Sequence, residues 1–297
     1  MKFPPFPLIL VWISWSAPLS AAPAEIVVCE YNVRNYINSE PPPDGQKFGT
    51  KAKPQAEIDA LVRIVKEISP DILGICEMGT PDRFEDFKQR LAACGLGYTD
   101  FEYVQAADQQ RHLALLSRFP IVARQSAPNV PFELDGRLEK VRRGFLDVTV
   151  QVTPQYRLRL VGAHLKSKLP AAEGEALVRR HEAQELRKHL DAILTADPRT
   201  NLICYGDFND TKNQPMFQEI AGARGTPSFM ADLAAKDSLG ERWTFYWKTS
   251  DEYSRIDYLF ASPGLLREVV KDKSIVYRGP EWDVASDHRA VYTSIVP

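Results

Sequence analysis

Residues 145–164 read FLDVTVQVTPQYRLRLVGAH, two alternating β-branched runs (145–152 and 157–163) parted by a few residues around Pro154. So short a connection joins antiparallel strands, because a parallel crossover needs a dozen or more residues. On either side of this hairpin the chain alternates strand and helix patterns. Residues 25–31 are rich in Ile and Val and read as a first strand. The stretch 32–53 reads as loop, broken by Pro41-Pro42-Pro43-Asp44-Gly45. Ile58, Leu61, Val62, Val65 and Ile68 then recur at spacings of three and four, the mark of an amphipathic helix, which Ser69-Pro70 stops. Residues 71–77 form a second buried strand and 84–93 a helix. Further strands are expected at 101–104, 112–116, 201–206, 255–261 and 290–296. A charged helix is expected at about 173–194, with Leu177, His181, Leu186, Leu190 and Ile193 marking part of its inner stripe. An antiparallel hairpin within this order disfavours a purely parallel barrel or doubly wound sheet and favours a mixed α/β sandwich. No linker, repeat or low-complexity tract interrupts residues 25–297, which read as a single domain.

The composition is that of a globular chain: 297 residues, 44% hydrophobic, 26% charged, with a formal net charge of −2. That excludes a disordered chain, a collagen and a strongly basic protein, so any anion-binding surface must be local. Residues 1–24 (MKFPPFPLILVWISWSAPLSAAPA) have one charge, Lys2, a short apolar core from Leu8 to Ile13, and small residues after it. This is the layout of a signal peptide with cleavage after Ala22 or Ala24, so the expected location is periplasmic or secreted. The apolar run is well short of the ~20 residues that a membrane span needs, and no stable membrane insertion is expected. Cys29, Cys76 and Cys204 sit in apolar strand-like runs and are expected to be buried free thiols; no Cys/His spacing suggests zinc.

Polar residues end the strands. Asn32 follows EIVVCEY, Glu77 ends DILGICE, His164 ends RLRLVGA and Asp207-Phe208-Asn209-Asp210 follows NLICYG. Asp257 interrupts SRIDYLF, and Ser286-Asp287-His288 precedes the last strand. Each has a bland counterpart: a surface acid for Glu77, an Asx turn for Asp207 with Asn209, a sheet-face ion pair for Asp257 with Arg255. Asp287-His288 reads equally as a cap or turn, and His164 as a satisfied strand histidine. Jointly they are the hard-oxygen and imidazole set that Mg²⁺-assisted phosphoester hydrolysis needs. Arg142, Arg143, Lys166 and Lys168, with Lys51 and Lys53 in the 32–53 loop, are candidates to meet phosphate charge. Arg118 reads as a structural ion-pair residue. Trp243, Phe245, Tyr246, Trp247 and Tyr253 read as core aromatics or as a stacking surface for a base or acyl chain.

The order EYN (30–32), PDILGICE (70–77), ALLSRFPI (114–121), GAHLKSK (162–168), YGDFND (205–210), SRIDYLFAS (254–262) and SDHRAV (286–291) resembles the endonuclease/exonuclease/phosphatase superfamily, the deoxyribonuclease-I-like fold. These motifs span nearly all of residues 25–297. The resemblance implies a four-layer α/β sandwich, two packed mixed β-sheets flanked by helices, with the site at one end. It implies Glu77 as principal Mg²⁺ (or Mn²⁺) ligand, with Asp287 and Asn32 completing the shell. Asp207 and Asn209 would orient the attacking water, His288 would act as acid/base or phosphate contact with Asp257 fixing its tautomer, and His164 would touch a non-bridging oxygen. Arg142, Arg143, Lys166, Lys168 and Asn32 would contact substrate. The water's proton goes to Asp207 or His288. Tyr31 stands where the family often has Trp.

The leading expectation is an exported, metal-dependent phosphodiesterase acting on nucleic acid. The alternatives are a lipid phosphodiesterase of sphingomyelinase type, an inositol or sugar phosphatase, and a catalytically dead binding module of the same fold. No protein partner is inferable from the sequence.

Overall fold

The computed structural model describes residues 25–38 and 51–297. The expected leader, residues 1–24, and most of the Pro-rich loop lie outside the described residues. Two mixed six-stranded sheets face one another. The first runs in spatial order Val269–Val276, Val291–Ile295, Ile26–Tyr36, Ile72–Met78, His112–Ser117, Asp100–Val104. The second runs Ala231–Asp232, Asp257–Ala261, Leu202–Asp207, Tyr156–His164, Phe145–Thr153, Ile121–Arg124. Helices α1 (Gln55–Ile68) and α2 (Pro81–Ala93) cover the outer face of the first sheet, and α3 (Glu175–Ala196) and α4 (Pro215–Ala221) that of the second. This is the expected four-layer sandwich. The 145–164 hairpin is antiparallel, with Phe145 opposite Ala163.

Period-two alternation sorts every central strand between two cores. In the first strand Ile26 and Val28 face the opposite sheet, while Cys29 and Tyr31 face the helices. Leu158 and Leu160, Ile203 and Tyr205, and Leu259 and Ala261 complete the inter-sheet layer from the other side. Continuing those columns toward one end of the sandwich gives Glu30 and Asn32, His164, Asp207 and Asp257, all buried. The site is thus the polar end of the inter-sheet core.

Tyr205 sits between the sheets because glycines make room for it. A Cβ on Gly74 would lie 2.2 Å from its ring and one on Gly162 2.7 Å away. The ring is 2% exposed and has nowhere to move. Gly74→Ala is therefore expected to cost about 1–3 kcal/mol through overpacking, read as a lower urea midpoint with unchanged slope.

Several elements depart from the sequence expectation. The first strand continues to Tyr36, past the expected end at residue 31. The edge strand Val269–Val276 carries Lys271-Asp272-Lys273 in its exposed middle, which hides its pattern. Two hairpins lack a long periodic run, Pro131–Leu134 with Arg137–Lys140 and Phe245–Trp247 with Glu252–Ser254. The inner stripe of α3 is Val178, Ala183, Leu186, Leu190 and Ile193; Leu177 is exposed and His181 stacks on Phe132 at its margin. The stripe shifts because Arg179 and Glu182, polar but buried, occupy two inward positions. The four cysteines are free thiols, with Cys29, Cys76 and Cys204 buried.

Candidate active site

Two adjacent strands kink where the site begins. Between Asn32 and Tyr36 the first strand spends four steps while its neighbour takes two, from Cys76 to Met78. Arg34, Asn35 and Glu77 all have positive φ (47°, 51° and 63°). Bulges of this kind re-aim side chains at a sheet's end, and here they turn Arg34, Asn35 and Glu77 into the cleft. The Asn35 N–H donates to Glu77 Oε2 at 2.9 Å, which locks the two kinks together. Asn209, also at positive φ (54°), closes a turn in which its N–H donates to Asp207 Oδ1 at 2.9 Å. Its side-chain amide donates to the Leu165 carbonyl. The Asx turn weighed against a site role is therefore real, and it fixes the site residue.

Asp207 is the hub. Its Oδ2 receives Asn32 Nδ2 at 3.0 Å and lies 3.5 Å from His164 Nε2 and 3.8 Å from His288 Nε2. His288 Nδ1 is 2.9 Å from Asp257 Oδ2, which leaves Nε2 facing Asp207. Phe245 packs on the His288 ring at 4.8 Å, and Ser286 Oγ accepts the His288 N–H while donating to the Asn32 carbonyl. Glu77 Oε1 is 3.9 Å from His164 Nε2. Asp287 Oδ2 lies 3.5 Å from Arg34 Nε, and Arg111 Nε 3.8 Å from Glu77 Oε2. A cleft of about 550 Å³ is lined by Glu77, His164, Asp207, Asn209, Asp287 and His288 together. Residues spread over more than 200 positions of sequence meet there.

Electrostatics divides the two histidines. Burial, helped by nearby Arg143 and His288, pushes the His164 imidazole well below its usual range, so it is neutral. Burial also opposes charge on His288, but the Asp257 and Asp207 carboxylates win and hold it well above its usual range. Burial and then the Asp257 charge raise Asp207 to about 7.

Some candidates fall elsewhere. Lys168 lines a separate cavity beside Arg180 and Glu175, so its proposed substrate contact is not part of this cleft. Lys53 is buried and donates to Glu57 and the Arg34 carbonyl, a structural cation behind the bulge. Arg143 lines the cleft, but its guanidinium is taken by Asp108 (2.9 Å) and the Leu165 carbonyl. Lys166 Nζ donates to the carbonyls of Ser167 and Leu169. Arg142 has no ion-pair partner among the described residues, and of the three candidates that line the cleft, Arg142, Arg143 and Lys166, it is the one whose side chain makes no hydrogen bond among those residues. Asn32, suggested as both metal ligand and substrate contact, has its amide on Asp207 and its Oδ1 on the Arg34 N–H, so it positions Asp207. Arg118 pairs with Asp71 as expected, and Arg255 pairs with Asp232, not Asp257.

Other residues were not singled out from sequence. Glu30 is fully buried beneath Asp207 and Asp257, with neither carboxylate oxygen hydrogen-bonded, and burial and those two charges hold its pKa high. Its signal was its place two residues before Asn32 on the same strand face. Glu182 of α3 accepts the N–H groups of Arg142 and Lys166, tying both cleft loops to one helix. Thr244 Oγ1 accepts the N–H groups of Ile256 and Asp257. Arg34 and Arg111 add cations to the cleft wall.

The donor set suits a hard divalent cation: Glu77 and Asp287 face the cleft, and among the described residues the arginine nearest each stands at 3.5 Å or more. Among the described residues, Asp207, Asp257 and His288 also bring ligand atoms within 4.8 Å of one another. That trio is already bonded internally through His288 Nδ1 to Asp257, and the charged imidazole supplies its positive charge.

A model of the Endonuclease/Exonuclease/phosphatase family matches residues 29–288. Among solved structures, the human Nocturnin catalytic domain with bound sulfate anion superposes with TM-score 0.65 at 18% identity, covering 91% of this chain and 94% of that one. Truncated Caenorhabditis elegans TDP2 gives 0.60 at 18%, covering 92% and 98%. Sphingomyelinase C from Streptomyces griseocarneus gives 0.60 at 16%, covering 91% and 99%. No curated protein matches. At these identities the structural likeness speaks for the fold.

Proposed function

This chain belongs to the endonuclease/exonuclease/phosphatase family, and on that premise we propose that it is an exported, divalent-metal-dependent phosphodiesterase that cuts nucleic acid. Phosphoester hydrolysis is the family's chemistry. The observation that carries it is the meeting of Glu77, His164, Asp207, Asn209, Asp287 and His288 in one cleft walled by Arg34, Arg111 and Arg142. Glu77 and Asp287 are the residues that would hold the cation, which when bound neutralises charge on the phosphoryl group. Asp207 and Asn209 orient the attacking water, and Asp207 Oδ2 accepts its proton as the new P–O bond forms. His288, kept charged and aligned by Asp257, gives its Nε2 proton to the leaving ester oxygen as the P–O bond breaks. Neutral His164 donates through Nε2 to a non-bridging oxygen. Phosphoryl transfer demands positioning and charge neutralisation above all, and this set supplies both.

A diester is favoured because the groove continues on both sides of the centre. Asp108 and Arg142 are shared with a cavity running toward Leu138, and Arg34 and Asp287 with another running toward Trp247. Leu138 and Leu169, 75% and 71% exposed near this groove, are the observation that supports the second reading, a lipid phosphodiesterase. Export rests on the leader-like residues 1–24; no described helix is long and apolar enough to cross a membrane.

The test is purified protein on single-stranded DNA, RNA, plasmid, sphingomyelin vesicles and sugar phosphates, each with Mg²⁺, Mn²⁺ or EDTA. Expected is strand cleavage that EDTA abolishes, with binding that weakens steeply as salt rises. Glu77→Ala and Asp207→Ala are expected to lower turnover by about two orders of magnitude or more with cooperative unfolding retained. Turnover of vesicles alone would move the substrate to lipid, and metal-independent or absent hydrolysis would end the enzymatic reading.

A further inference from the structure

The aromatic residues of 243–253 are not used by the chemistry above, and their arrangement is specific. The Phe245–Trp247 and Glu252–Ser254 strands form a hairpin fixed to the catalytic segment. The Tyr246 N–H donates to the Asp287 carbonyl at 2.9 Å, and Phe245 bridges to His288. Tyr246 stacks on Tyr253 at 4.4 Å and 17°, and its hydroxyl donates to Asp251, so that ring is held. Trp247 differs: it is 48% exposed and has no aromatic ring partner among the described residues. Between this hairpin and Trp282 lies a cavity of about 380 Å³, walled by Tyr246, Trp247, Trp282, Lys248 and Arg34. Arg34 and Asp287 line both this cavity and the catalytic cleft, so the two are continuous.

Resting on the phosphodiesterase reading, we propose that this side cavity is a subsite that stacks one base of a single-stranded nucleic acid next to the phosphate being cut. The walls decide between candidate occupants. An acyl chain wants a lining of aliphatic groups, yet the non-aromatic lining here is Arg34, Lys248, Thr249, Asp283, Ser286 and Asp287. A base has two apolar faces and a polar edge, which fits aromatic rings interleaved with polar side chains. Lys248 has no ion-pair partner among the described residues, and with Arg34 it supplies charge for the phosphate on the far side of that base. Stacking does not read sequence, so the subsite prefers a base over none and discriminates weakly among bases.

The test separates this subsite from the reading it rests on. Binding of a fluorescently labelled thymidine pentamer is compared in EDTA with a pentamer of abasic residues, by anisotropy, for wild type, Trp247→Ala and Trp247→Phe. Wild type is expected to prefer the base-bearing strand by about ten-fold, Trp247→Ala to lose that preference and Trp247→Phe to keep most of it. The abasic strand should bind all three proteins within about two-fold, since its contacts are to phosphate. Equal preference in wild type and Trp247→Ala, or equal weakening of both strands, overturns the stacking subsite even if Mg²⁺-dependent strand cleavage persists. Wild type that neither binds nor cuts either strand, while sphingomyelin vesicles are hydrolysed, overturns both the subsite and the nucleic-acid reading.

Discussion

His288→Ala is expected to lower kcat/KM by about 10²–10⁴, the range for losing a positioned acid or base, and Asp257→Ala to reach a similar loss without touching substrate. Asp257 accepts from His288 Nδ1 at 2.9 Å, and that bond leaves Nε2 to face Asp207 and the cleft. Without Asp257 the ring can turn and its charge loses its main support. The double variant should therefore be little worse than His288→Ala alone, because the two residues act as one unit. Steady-state kinetics on a cleaved diester measure all three; a double variant whose losses multiply would mean that Asp257 acts independently of the imidazole.

The same pair makes a prediction about pH. In metal-free protein His288 should stay protonated through neutral pH, since the Asp257 and Asp207 charges outweigh the burial that opposes them. In Asp257→Asn that burial loses its main opponent, and the imidazole should give up its proton at a lower pH than in wild type. The sign is fixed: removing a carboxylate beside a cation lowers the cation's pKa. Imidazole NMR resonances across a titration report it, and a wild-type ring already neutral at pH 7 would contradict it.

Legibility in the sequence followed periodicity. Strands in the middle of the sheets showed themselves because both faces are buried and their runs are apolar. Val269–Val276 did not, because an exposed edge strand tolerates Lys271, Asp272 and Lys273. The shifted stripe of α3 has a comparable cause: Arg179 is buried against Asp210 and the Lys166 carbonyl, and Glu182 against two loop N–H groups. Their polarity reads as solvent-facing until tertiary partners are known. At the site, the motif acids and histidines were legible because each interrupts an apolar strand at its end. The bulges were not, since the positive φ of Arg34, Asn35 and Glu77 falls on residues with no glycine to announce it. Nor did sequence tell Arg142 from Arg143, one free in the cleft and the other spent on Asp108.

Asp237→Ala is expected to cost about 3–5 kcal/mol of stability, more than any other single change considered, although Asp237 lies outside every motif of the site. Arg289, immediately after His288, is almost wholly buried. Its Nη1 donates to Asp237 Oδ2 at 2.9 Å, its Nε to the Trp243 carbonyl at 3.1 Å, and its guanidinium lies 3.5 Å from the Trp243 ring centroid. Asp237 also receives Arg278 at 2.7 Å and the N–H groups of Leu239 and Glu241. Removing the carboxylate strands a buried guanidinium without its counter-ion, the costliest way to break such a pair. Burial alone would raise the Asp237 pKa, but the Arg278 and Arg289 hydrogen bonds hold it well below the usual carboxylate range. A depressed folded pKa contributes stability that is fully present above the unfolded value of about 4 and is lost as pH falls through the folded one. Urea unfolding should therefore give a wide gap between wild type and Asp237→Ala at pH 7 and pH 5, narrowing only toward pH 3. The damage should reach the chemistry as well: the Arg289 N–H donates to the Thr244 carbonyl, and Thr244 Oγ1 holds the N–H of Asp257. Under conditions where Asp237→Ala is fully folded, it should lose kcat more than it raises KM. A stability gap of under 1 kcal/mol at pH 7 would show that Glu241 and the Trp243 carbonyl already satisfy this corner without it.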